Sequence, residues 1–204
     1  MTEDVPSPID LRVMSDAVAW EQTAMSKRPW RAAFFAQFAA EISALPQQAR
    51  RVLELGSGPG FLAEHLLTSV ADLSYVLLDF SASMHQLAKA RLGSFGAQVQ
   101  FVERSFKQDN WPEGLGQFKC VVTHQAVHEL RHKRYATHLH AQVRSLLTRG
   151  GSYLVCDHFF GEGGMKNNQL YMSIEEQRQA LLAGGFQSVK QVKLEGGLVL
   201  HHAI

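Results

Sequence analysis

Beyond Pro46 the chain breaks into seven short β-branched or aliphatic runs, and their spacing is what most constrains the fold. They occupy residues 51–55, 73–79, 99–103, 118–123, 151–157, 186–194 and 197–202. Most gaps among the first five leave room for a helix and two loops, which predicts right-handed crossovers and a parallel sheet. Only Glu195 and Gly196 separate the last two runs, which predicts an antiparallel hairpin at the sheet edge. Ser173-Ile-Glu-Glu176 reads as a capping box opening a helix that stops at Gly184-Gly185. Before the first run, Trp30, Phe34, Phe38 and Ile42 recur at four-residue steps, one face of a helix. The expected organisation is one domain over 1–204, with an N-terminal helical cap over 1–45 and an α/β core over 50–204. No linker, repeat or low-complexity segment interrupts it.

Composition narrows the function classes. A length of 204 residues, 46% of them hydrophobic and 19% charged, suits one globular domain and not a disordered chain. With 20 Lys+Arg against 19 Asp+Glu there is no basic field to neutralise many phosphates, so nucleic acid is an unlikely partner. No apolar run approaches the roughly 18–20 residues of a membrane span, and the start lacks a signal-peptide pattern, so the expectation is a cytoplasmic protein without a membrane partner. Cys120 and Cys156 sit inside apolar runs and read as small buried hydrophobes. The outlier is histidine: ten in all, six of them between His124 and His158.

The segment Val52-Leu-Glu-Leu-Gly-Ser-Gly-Pro-Gly60 places a buried strand directly before three glycines at alternate positions and a helical stretch. Glycines there let a nucleotide-like ligand lie against bare backbone at the strand's carboxyl end. The third glycine of a dinucleotide fingerprint is missing, since position 61 is Phe61, and no Gly-Lys-Ser/Thr marks a phosphate loop. The second strand ends at Asp79, where a carboxylate can accept both hydroxyl protons of a ribose; alone it reads equally well as a helix N-terminal acid. Phe80 and Met84 follow, apolar and polarizable surface for an adenine face.

With these segments, and with Phe118 to Leu130, Leu147-Thr-Arg-Gly-Gly151 and Gly184-Gly185-Phe186 in the same order, the chain resembles the class I S-adenosylmethionine-dependent methyltransferases over about residues 50–204. The resemblance implies a Rossmann-like, doubly wound, seven-stranded sheet, mostly parallel, with an antiparallel C-terminal hairpin and helices on both faces. It implies S-adenosyl-L-methionine as cofactor, with Gly56, Ser57, Gly58 and Gly60 around the methionine moiety. Glu54 would order that loop and the ligand's amino group, Asp79 would hold the ribose, and Phe80 and Met84 would flank the adenine. Where family members often carry an acid after the third strand, this chain has Ser105 and Phe106, which leaves a hydroxyl and a backbone group for the adenine.

Methyl transfer from a sulfonium is an in-line displacement, so positioning and desolvation can supply most of the acceleration, with a base where the acceptor must lose a proton. The acceptor is expected at the ends of strands four and five. His124 and His158 stand there, and an imidazole near its ordinary pKa of about 6.5 could take that proton. Either could equally be a hydrogen-bonded structural residue, and for His128 the structural reading is favoured. A metal site from His124, His128 and Asp157 or His158 has the right residue types but no supporting motif, and none is expected. His132, His138, His140, His201 and His202 are expected on helix surfaces or edge strands, and His65 and His85 partly solvated. The basic run 131–134 should open the helix after strand four, as a solvated face or as a grip on an acidic group. Trp20, Trp30 and residues 34–38 read as core packing or, alternatively, a lid. With little chain before the first strand and no inserted domain, a small-molecule acceptor is expected over a protein or RNA. A non-catalytic cofactor-binding subunit is the remaining alternative.

Overall fold

A computed structural model describes residues 4–46 and 50–204; residues 1–3 of the expected cap and 47–49 before the core lie outside the described residues. Seven strands form one sheet: β1 (Arg50–Leu55), β2 (Leu73–Asp79), β3 (Val99–Glu103), β4 (Phe118–His124), β5 (Leu147–His158), β6 (Val189–Glu195) and β7 (Leu198–Ala203). Their order is β3-β2-β1-β4-β5-β7-β6. The first five pair in parallel, whereas β7 is antiparallel to both β5 and β6. The chain winds outward from β1 to β3 and returns to β4, so the carboxyl ends of β1 and β4 flank the crevice where this kind of sheet binds ligands.

The side-chain period of two sorts each strand between two cores. Val52, Tyr75, Leu77, Cys120, Val122 and Cys156 face Phe34, Phe38 and Ile42 of α2 (Arg31–Ser43) and Leu62 and Leu66 of α3 (Phe61–Ser69). Leu53, Leu55, Val121, Tyr153 and Val155 face Leu139 and Val143 of α5 (Ala136–Leu146) and Leu181 of α6 (Ile174–Ala183). The Ser173 hydroxyl accepts from the Glu176 N–H at 3.1 Å and the Glu176 carboxylate from the Ser173 N–H at 2.7 Å, which makes the capping box reciprocal. Gly196 and Gly197, both left-handed at φ 56° and 79°, close the β6–β7 hairpin as a turn whose twist matches its strands. Both cysteines are buried and free. No helix among the described residues is long and apolar enough to cross a membrane.

The structure departs from the sequence reading in several places. The N-terminal region holds two helices, α1 (Met14–Ala24) and α2, preceded by a non-helical strap over residues 4–12. Strand β5 begins at Leu147, and its pairing with β4 shifts register between Phe118 and Cys120, which absorbs the Thr148-Arg149-Gly150 stretch. His85, His132, His140 and His201 are buried, not solvated. His140 shares α5's inward face with Leu139 and Val143, and His201 lies on β7, an interior strand of the sheet.

Candidate functional site

The glycine loop turns directly out of β1. Gly56 and Ser57 donate their N–H groups to the Leu78 carbonyl at 2.8 and 3.2 Å, stitching the loop to the end of β2. Its three glycines do different work. A Cβ on Gly56 would lie 2.4 Å from Cβ of Ala126, and one on Gly60 would press on Leu92 and Ala88 of α4 (Ala82–Leu92) at 3.2 and 3.3 Å. Gly58, at φ 53°, would meet nothing within 4 Å, so bare backbone faces open space. Beside it the buried Ser57 hydroxyl has no hydrogen-bond partner.

Two buried acids underlie the loop. Asp79 accepts the Gly58 N–H at 2.8 Å on one oxygen and the Ser81 N–H at 2.9 Å on the other. Burial lifts its pKa to about 6 against those backbone donors. Glu54 accepts the Tyr75 hydroxyl at 2.9 Å, and burial raises it to about 8. The Asp79 carboxylate thus fixes the loop from the end of β2.

A cavity of about 760 Å³ opens beside Asp79's strand end, between the strap on one side and Glu103, Ser105, Phe106 and Lys107 on the other. Phe80 is 39% exposed and lines it, and Phe106 lies beneath Gly56. Met84 is not brought to this cavity. It lies inside α4, 1% exposed, with its N–H donated to the capping hydroxyl of Ser81.

The strap spans the mouth of the cavity. At one end the Val5 N–H meets the Arg131 carbonyl at 2.9 Å, while the Arg131 guanidinium donates to the carbonyls of Val5 and Pro6 at 2.8 and 2.6 Å. At the other, the Ser81 and Ser83 hydroxyls donate to the carbonyls of Leu11 and Arg12 at 2.5 and 2.7 Å. Arg131 is therefore neither a solvated residue nor the start of a helix. It is buried, left-handed at φ 68°, and occupied by the chain's own N-terminal segment.

The three candidate histidines end up in three environments. His124 continues the alternation of Cys120 and Val122 and points at α2, where its ring packs on Phe34, Phe35 and Phe38 with centroids 6.3, 5.2 and 6.1 Å away. Burial, helped by the Arg31 charge, lowers its pKa to about 3, far from the ordinary value that would suit a base at neutral pH. The Phe34 to Phe38 stripe is core rather than lid. His128 is held by Asp157, whose carboxylate accepts from its N–H and its Nδ1, both at 2.7 Å. Burial opposes the charge, but Asp157 and then Glu129, 3.4 Å from Nε2, raise its pKa to about 10. His158 stacks edge-on to both His128 and Tyr171, at 5.5 and 5.8 Å, and burial lowers it to about 4. Its Nε2 lies 2.8 Å from Nε2 of Gln125, whose oxygen accepts from Nε of Arg31 at 2.7 Å.

Gln125, Arg31 and Tyr171 enter this site without a role assigned from sequence, and Asp157 is named there only as a possible metal ligand. Asp157 could have been found: Tyr153, Val155 and Asp157 alternate on the face that also takes the segment after β4. Among the described residues no group of three or more His, Cys, Asp or Glu side chains is arranged to hold a metal ion.

Open backbone at Gly58, an unpartnered Ser57 hydroxyl, a buried acid at the end of β2 and an exposed aromatic after it fit a nucleoside bearing an amino-acid tail. Residues 52–151 match the model of a family described as a methyltransferase domain. A search of curated proteins gave no match. Among solved structures, DesVI of Streptomyces venezuelae aligns at 17% identity with a TM-score of 0.73, over 92% of this chain and 97% of that one. DhpI, in a complex with SAH, aligns at 21% identity and a TM-score of 0.68, over 95% of each chain. An O-methyltransferase family protein from Burkholderia thailandensis aligns at 17% and 0.68 over 83% of this chain, which spans 55% of that protein's length. Residues 52–151 thus match a methyltransferase-domain family, and the chain shares the fold of these solved structures.

Proposed function

We propose that this protein transfers the methyl group of S-adenosylmethionine to a small-molecule acceptor that enters at the carboxyl ends of β4 and β5, in the cytoplasm. The observation that carries the reading is the coexistence of a cavity of about 760 Å³, lined by Phe80, Ser105 and Phe106, with a fixed His128–Asp157 pair next to its Glu129 wall. Bound there, the cofactor supplies an electrophilic methyl group on a sulfonium. Gly56, Ser57, Gly58 and Gly60 cradle its methionine part, with Glu54 ordering the loop. Asp79 takes the ribose, Phe80 packs on the adenine, and Ser105 and Phe106 close the adenine edge. Met84 supports this wall from inside α4. The strap then excludes water from the cleft.

At the acceptor end the imidazoles divide their roles. His124 and His158 are neutral at physiological pH, and His128 is a cation. Its charge is balanced by Asp157 and Glu129, which face its two ring nitrogens, so what it offers an acceptor is a fixed ring and not a cationic field. His128 therefore acts by positioning the acceptor, His158 and Tyr171 wall the pocket beside it, and His124 packs into the α2 core. Such a site accelerates an in-line displacement chiefly through orientation.

The test is incubation with methyl-labelled S-adenosylmethionine and size-fractionated cell extract. Label in low-mass material supports the proposal, label in protein or RNA redirects it to a macromolecular acceptor, and binding of cofactor without any transfer favours a non-catalytic subunit. With an acceptor in hand, His128→Asn, which keeps a donor towards Asp157, should lower kcat about 100-fold.

A further inference from the structure

Gln125, the residue immediately after β4, is left-handed at φ 57°, a conformation that residues with a Cβ seldom adopt and that clusters at functional positions. Its N–H is committed to the Cys156 carbonyl at 2.7 Å, so the backbone is fixed across the β4–β5 pair. Its side chain bridges two others: Oε1 to Nε of Arg31 at 2.7 Å and Nε2 to Nε2 of His158 at 2.8 Å.

The chemistry of the three groups leaves one arrangement. A guanidinium has donors only, so the amide must turn its oxygen to Arg31, and its NH₂ then faces the imidazole. The ring nitrogen opposite an NH₂ must offer its lone pair, which puts the ring proton on Nδ1 and leaves the ring neutral. Flipping the amide would set an NH₂ against the guanidinium, donor to donor. Arg31 cannot swing away to allow it, because it is buried, donates to the Ala24 carbonyl at 3.0 Å and lies 5.1 Å over the Trp20 ring.

We infer that Gln125, oriented by Arg31, is a positioning residue that fixes His158 as a neutral ring protonated on Nδ1 and thereby bars it from taking the acceptor's proton. The charged groups acting on His158 agree with a ring kept neutral. Asp157 favours protonation, but its charge is matched by His128, and the Arg28 cation opposes it. The ring's Nδ1 is buried and has no hydrogen-bond partner, so no acceptor competes with Gln125 for the ring's orientation. An imidazole usually counted as a base is by this geometry a fixed wall and donor. Its meaning for catalysis rests on the methyltransferase reading, but the tautomer does not.

The test uses protein labelled with ¹⁵N-histidine and long-range ¹H–¹⁵N spectra, with the His158 signals identified by their loss in His158→Gln. The wild-type ring should show the pattern of protonation at Nδ1 alone, unchanged between pH 6 and 8. Gln125→Glu, nearly isosteric, presents a carboxylate to both Arg31 and the ring, and should move the His158 midpoint upward by at least about one pH unit. A wild-type ring protonated at Nε2, or a Gln125→Glu spectrum like the wild type, overturns the inference. The wild-type spectrum decides the tautomer even where the variant fails to fold. Calorimetry with S-adenosylhomocysteine on the same samples separates the two readings. Failure of the wild-type protein to bind would sink the cofactor reading and leave the tautomer standing.

Discussion

Asp157 grips His128 twice, one oxygen on the ring Nδ1 and the other on the backbone N–H, both at 2.7 Å. The carboxylate is 6% exposed and the imidazole 15%, so this is a buried ion pair, and removing one partner strands the other. Asp157→Asn should cost about 3–5 kcal/mol in urea denaturation and bring the His128 pKa down. A loss below about 1 kcal/mol would mean that the pair contributes no more than an exposed one.

Stability should peak near neutrality. His124, His140, His158 and His201 have folded pKa values of about 3, 3, 4 and 4, below the unfolded value of about 6.5. The unfolded chain therefore binds more protons, and their contribution is complete above pH 6.5 and lost progressively as pH falls toward 3–4. His128 has the opposite sign: its folded value of about 10 gives a contribution complete below pH 6.5 and lost as pH rises to 10. Glu54 and Asp79, raised to about 8 and 6, share the sign of His128 and offset part of the acid limb, so at about 1.4 kcal/mol per proton per pH unit the acid limb should be about twice as steep as the alkaline one above pH 8. Denaturation midpoints measured from pH 4.5 to 9.5 check this, and equal slopes on the two limbs would contradict it.

Loosening the strap should speed cofactor exchange. Arg131→Ala removes both carbonyl contacts at one end, and Ser83→Ala removes one at the other. At about 1.4 kcal/mol per factor of ten, loss of the two Arg131 contacts should raise the S-adenosylhomocysteine off-rate at least tenfold in stopped-flow displacement, and Ser83→Ala should raise it less. Off-rates that stay at the wild-type value in both would show that the strap does not gate the cleft.

The glycines should separate folding from binding. Gly56→Ala drives a Cβ into Ala126 and should lower the Tm sharply. Gly58→Ala has room, so its cost should be about 1–2 kcal/mol of left-handed strain, while S-adenosylhomocysteine affinity falls at least tenfold, because the added methyl occupies space in front of the loop. Calorimetry and thermal melts on both variants distinguish these outcomes.

Cofactor affinity should also follow the Asp79 carboxyl. Ribose hydroxyls need its ionised form, and its pKa is about 6, so affinity should be full above pH 7 and decline as pH falls through 6. Asp79→Asn should bind more weakly and lose that dependence in calorimetric titrations.

The sheet was readable because each strand is a short apolar run bounded by a glycine turn or a helix cap, and local chemistry decides those features. The geometry of the glycine loop was readable for the same reason: Gly56, Gly58 and Asp79 are fixed by the turn from β1 and the end of β2. The histidines were less so. The alternation Cys120, Val122, His124 already aims the third residue at α2, yet only packing reveals that three phenylalanines wait there. Nothing in the sequence pairs Gln125 with Arg31, nor Arg131 with Val5, because those contacts join segments 94 and 126 residues apart. Met84 looked like ligand surface from its type, and the helix turns it inward.

The seat of α2 has a consequence for biogenesis. Glu41 meets His202 at 2.9 Å, and the Trp30 ring fills the space a side chain on Gly196 would need. Both partners belong to the β6–β7 hairpin, which places β7 between β5 and β6. A chain made only as far as β5 would already carry the glycine loop and Asp79, but α2 would lack these contacts until the hairpin follows. Full seating of α2 is thus deferred until β6 and β7 have been made.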